Sequence, residues 1–74
     1  MQFFEHKGYV IYPTPHLLVG SGYWRIELAI RYDNVVEKYS SDNVFLTKGE
    51  AVFHAIQLGK KLIDDGLVLR GEAA

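Results

Sequence analysis

Residues 47–66, TKGEAVFHAIQLGKKLIDDG, constrain the fold more than any other stretch. Val52, Ala55, Ile56, Gly59, Leu62 and Ile63 recur at steps of three and four, one stripe of a 3.6-residue period. Phe53 and Leu58 widen that stripe at its two edges, while Lys48, Glu50, His54, Gln57, Lys60, Lys61, Asp64 and Asp65 take the other side. Thr47 and Glu50 have capping-box spacing, in which hydroxyl and carboxylate each satisfy an unpaired amide of the first turn. Leu46 and Ala51 fall at the staple positions flanking the cap. Gly66 stands where a left-handed residue stops a helix. Gly59 costs about 1 kcal/mol against Ala in a helix interior. On the buried stripe it predicts close approach to a sheet, against Trp24 or a tyrosine.

The residues before this helix read as strands that need its apolar face as a cover. From Tyr23 to Tyr32, Trp24, Ile26, Leu28, Ile30 and Tyr32 alternate with Tyr23, Arg25, Glu27, Ala29 and Arg31, a period of two with one apolar face. Residues 8–15, GYVIYPTP, form a first strand. Its two prolines remove ladder donors and place it at an edge or make this its end. Residues 16–19 resume it, and Gly20-Ser21-Gly22 turn the chain. Asp33-Asn34 is a second turn, residues 35–41 a third strand, and Ser41-Asp42-Asn43 a loop. Met1 to Lys7 is an arm or the start of the first strand, with adjacent Phe3 and Phe4 that cannot both point inward. The expected architecture is α+β, β-β-β-α: a three-stranded antiparallel sheet with one C-terminal helix on one face and a short apolar tail at residues 67–69. One domain spans residues 1–74, with its core in about 8–66.

Seventy-four residues make a small core, and with no cysteine neither a disulfide nor a thiolate metal site supports it. Self-association is the remaining device. Phe3, Phe4, Leu67 and Leu69 are the candidate self-association residues. The sheet face away from the helix is the candidate binding face, carrying Tyr12, Tyr23, Arg25, Glu27, Arg31 and Lys38. Aromatics mixed with arginine favour partner surfaces; an ordinary solvated sheet face has the same look.

Chemistry-bearing patterns are sparse. His6, His16 and His54 have no metal-site spacing, and no glycine-rich phosphate loop precedes a helix. Ser21 with His16 lacks an orienting carboxylate and an oxyanion hole. Glu27 and Glu37 lie beside Arg25, Arg31 and Lys38, which suits cross-strand pairing. So short a chain has little material for a pocket of several hundred cubic ångströms. The expectation is a non-enzymatic chain without cofactor or metal. The net charge of −1 exerts no overall pull on nucleic acid or anionic lipid. The start of the chain does not read as a signal peptide and no apolar run reaches spanning length, so a bacterial cytoplasmic location is the default.

The run Lys7-Gly8-Tyr9 with Ile11, the aromatic strand from Tyr23 to Ile30, Glu50-Ala51, and Ile63-Asp64-Asp65-Gly66 together resemble a family of small bacterial proteins of unknown function. That resemblance covers about residues 7–66 and implies three strands and a C-terminal helix, with no activity attached. The pattern is also similar to DNA-binding domains that lay three strands in the major groove, which implies Arg25, Arg31 and Lys38 facing DNA. Glu27 between the arginines departs from that pattern. Two functions follow: a self-associating protein-interaction module, or a nucleic-acid-binding domain that uses the open sheet face.

Overall fold

The computed structural model describes residues 2–68. They form five strands and one helix: β1 (Phe4–His6), β2 (Tyr9–Pro13), β3 (His16–Leu18), β4 (Tyr23–Tyr32), β5 (Val35–Phe45) and α1 (Lys48–Asp64). The class is α+β with an antiparallel sheet and one C-terminal helix, as the patterning implies, but the sheet has five strands where three were expected.

β4 is the central strand. One of its edges pairs with both β2 and β3, the other with β5. The pairs Val10–Arg31, Pro13–Leu28, His16–Arg25 and Leu18–Tyr23 keep one register throughout. β2 and β3 are therefore a single strand interrupted at Thr14-Pro15. The proline spacing explains how it survives. Thr14 donates its amide to the Glu27 carbonyl at 2.7 Å. Backbone groups alternate along a strand, so the nitrogens of Pro13 and Pro15 point away from β4 and remove nothing from that ladder. The prolines do lie at a sheet edge, because β1 covers only Tyr9, Val10 and Ile11.

The two extra elements have local causes. Lys7 (φ +52°) and Gly8 (φ +85°) make a two-residue turn with both residues left-handed. This folds Phe4, Glu5 and His6 back onto Ile11, Val10 and Tyr9 as an edge strand, so the N-terminal segment is neither an arm nor part of the first strand. Ser41-Asp42-Asn43 is likewise not a loop. Register with β4 shifts between Arg25 and Glu27, so those residues form a bulge inside a strand that continues to Phe45.

Thr47 caps α1, its Oγ accepting from the Glu50 amide at 3.1 Å. The reciprocal half of the box differs from expectation. The Thr47 hydroxyl donates to the Glu50 carboxylate at 3.2 Å, a bond between side chains. At the far end Gly66 (φ +72°) donates to the Ile63 carbonyl at 3.1 Å and Leu67 to that of Leu62 at 2.9 Å. These two bonds are a Schellman stop.

The residues of α1 buried against the sheet are Ala51, Ala55, Gly59 and Ile63, one row at four-residue steps. Val52, Ile56 and Leu62 are only half-buried. Small residues at the centre let the helix sit low over Ile11, Ile26, Leu28 and Ile30. Gly59 lies over Ile11, where a Cβ would come within 2.9 Å of that side chain. The close approach expected of Gly59 is present, to Ile11 and not to Trp24 or a tyrosine. Val68 is buried in the core, Leu67 is exposed, and Leu69 lies outside the described residues.

Candidate interaction surfaces

Two surfaces among those left open by the described residues carry most of the candidate residues. The first is the sheet face opposite α1. Ile26, Leu28 and Ile30 point to the helix, so the alternate residues of β4 point away from it. Register then assembles rows across the open face: Tyr12–Ala29–Lys38, Glu5–Val10–Arg31–Val36, and His16–Arg25–Val44. Tyr23 lies opposite Leu18 at the end of the face. All six candidate face residues thus share one surface. The sheet forms a shallow hollow of about 490 Å³ there, lined by Thr14, Glu27, Ala29, Lys38 and Ser40.

Two of the charges of this face are occupied with one another, and a third stands over a ring. Arg25 Nη2 donates to Glu27 Oε2 at 2.7 Å, between two half-buried side chains. Arg25 Nε is buried and meets no acceptor among the described residues. The Arg31 guanidinium stands 5.9 Å from the centre of the Tyr12 ring, within cation–π range. The Phe3 ring lies 6.2 Å from Tyr12 on its other flank. Three cations, Arg25, Arg31 and Lys38, share the face with two anions, Glu5 and Glu27.

The second surface is a groove of about 510 Å³ between the β1 edge and the flank of α1, lined by Gln2, Phe3, Phe4, Gly49, Val52, Phe53 and Ile56. Phe3 is 60% exposed and Phe53 57%. Phe4 is half-buried against the core, with Lys60 Nζ 4.3 Å from its ring centre. Phe3 and Phe4 thus serve opposite faces of β1. Phe53 marks this flank in the sequence as an edge of the apolar stripe, but the groove exists only because the β1 hairpin lies beside it. Leu67, another candidate for self-association, is exposed at the opposite end of α1. Both hollows reach the volume of ordinary ligand pockets, contrary to the expectation from chain length, but both lie open to solvent.

The histidines are dispersed. His6 Nε2 meets Asp64 Oδ1 at 2.9 Å, and Lys7 Nζ reaches the same oxygen at 2.7 Å. Together they tie the first turn to the end of α1. Hydrogen bonds from Lys7 and then His6 hold the Asp64 carboxyl below its ordinary range. His54 stacks on Phe45 with ring centres 4.3 Å apart, and His16 sits on β3. Among the described residues no three His, Asp or Glu side chains converge as metal ligands, and no helix is long and apolar enough to cross a membrane. No family model, no curated protein and no solved structure matches the chain.

Proposed function

We propose that this chain is a small non-enzymatic interaction module that associates with itself. The observation that carries this reading is the apolar groove beside β1, which holds the more than half exposed Phe53, while Phe3 stands similarly exposed on the other face of the same edge. Large exposed aromatics gathered around one edge of a sheet mark contact sites more often than solvated surface does. A 74-residue core without cysteine also gains most from a partner. Nucleic-acid binding through the open face has weaker support. Arg25 is committed to Glu27, Glu5 shares a row with Arg31, and three cations against two anions give little surplus for phosphates.

Sedimentation equilibrium of the full chain across a wide concentration range tests the proposal. The expected result is a mass rising from 8.4 kDa towards twice that value. A single-chain mass at every concentration contradicts it. A parallel titration with short DNA and RNA at low salt separates the second reading. Binding that disappears with added salt, by a chain that stays monomeric, replaces self-association with nucleic-acid recognition.

A further inference from the structure

The sheet has three outer edges among the described residues, β1, β3 and β5, and they differ in what they offer a partner. β3 has three residues and follows Pro13 and Pro15, which lack outward donors. β5 is long, but the Ser41–Asn43 bulge and the adjacent Glu37 and Lys38 guard it. β1 is short, carries no bulge, and borders the apolar groove. The alternation fixed by the Thr14–Glu27 bond turns the backbone groups of Phe4 and His6 towards β2. Those of Phe3 and Glu5 therefore face outward. Among the described residues no strand pairs with that side of β1.

Resting on the self-association reading, we infer that two copies join through β1, antiparallel about a two-fold axis at Phe4, into one continuous sheet. The outward groups are self-complementary in this register. Phe3 of one copy pairs with Glu5 of the other, twice, and both residues present free donors and acceptors. Phe4 faces its own symmetry mate at a non-hydrogen-bonded position, where Cα atoms stand about 4.5 Å apart. Of the two neighbouring registers that also match faces, the one centred on Glu5 sets the two carboxylates opposite each other, which is unfavourable, and the one centred on Phe3 moves the axis outside β1. In the Phe4-centred register both helices lie on the same side of the joined sheet. The two grooves merge, with Phe4, Val52, Phe53 and Ile56 of each copy around one apolar centre. A stable small dimer buries roughly 600 Å² or more per protomer. Phe3 and Phe53 expose on the order of 200 Å² of that between them, and Gln2, Val52, Ile56 and the strand backbone extend the patch.

The absence of cysteine makes a clean test. Phe4→Cys in the full chain is expected to oxidise to a disulfide-linked dimer, since its Cα spacing suits a disulfide. Val36→Cys, on the exposed β5 edge, is expected to remain largely uncrosslinked. Glu5→Pro is the second variant. It removes one outward donor while leaving the β1–β2 ladder intact, and is expected to shift a dimeric chain to monomer with its circular dichroism unchanged. A dimer that persists in Glu5→Pro, or in which Phe4→Cys fails to cross-link, overturns the β1 interface while leaving self-association standing. A monomeric parent chain overturns both.

Discussion

The two faces of the sheet are written by the same strand and behave as opposites. On the covered face, Ile26, Leu28 and Ile30 lie under a helix whose central row is Ala51, Ala55, Gly59 and Ile63. Large residues below and small ones above bring the two layers close. On the open face, the alternate residues of β4 are Tyr23, Arg25, Glu27, Ala29 and Arg31; Arg25 pairs with Glu27, Arg31 stands over the Tyr12 ring, and nothing described covers them. The comparison teaches that stability resides in one face. The other face contributes none of the fully buried side chains.

That contrast breaks first if the faces respond alike to truncation. Leu28→Ala on the covered face, where the leucine is 1% exposed, is expected to lower unfolding free energy by about 2–5 kcal/mol in urea titrations. Arg31→Ala, three residues along on the exposed face, is expected to change it by about 0.5 kcal/mol or less. Equal losses at the two positions would end the distinction.

Gly59→Ala sharpens the account of the covered face. Alanine improves helix propensity by about 1 kcal/mol, but its Cβ would meet Ile11 at 2.9 Å in a fully buried site. Overpacking of this kind costs about 1–3 kcal/mol, so the net expectation is destabilisation by about 1 kcal/mol. Combining it with Ile11→Ala should cost less than the sum of the two single changes, because the smaller residue makes room. A stabilised Gly59→Ala variant would mean the helix does not sit low over Ile11.

On the open face the Arg25–Glu27 pair should couple by only about 0.2–1 kcal/mol in a double-mutant cycle, and less at high salt, because both side chains reach solvent. A larger, salt-insensitive coupling would mean that this face is buried in solution.

The smallest effect is at the rim, where His6 and Lys7 hold Asp64. The folded Asp64 carboxyl titrates below its unfolded value, so its contribution is fully present above that value and is lost as pH falls through the folded one. Acid titration of stability below about pH 4 should therefore be shallower in Asp64→Asn than in the parent. Identical acid limbs would remove this contact from the account.

Much of the covered face was legible in the sequence because its signals are periodic. The strict alternation from Tyr23 to Tyr32 set both faces of β4, and the Thr47 and Gly66 signals bounded the helix. The Gly59 approach was readable as such, but its partner was not. Which strand lies beneath a helical glycine depends on how the layers stack. The missed elements rest on single residues in unusual backbone states. Lys7 adopts a left-handed φ that glycine normally supplies, which hid the β1 hairpin. The polar run Ser41–Asn43 imitates a loop while serving as a bulge. The open-face residues followed from alternation alone, whereas the groove joins Phe3 and Phe4 to Val52, Phe53 and Ile56, about fifty residues away along the chain, and has no local signature.

The most direct test of the central claim is residue-resolved amide hydrogen exchange of the full chain at dilute and concentrated conditions. The account predicts that Phe3 and Glu5, whose amides face outward from β1, gain protection as concentration rises, while Val36 and Lys38 on the outer side of β5 exchange rapidly throughout. Protection at Phe3 and Glu5 that does not change with concentration, or that rises at Val36 and Lys38 instead, would contradict association through the β1 edge.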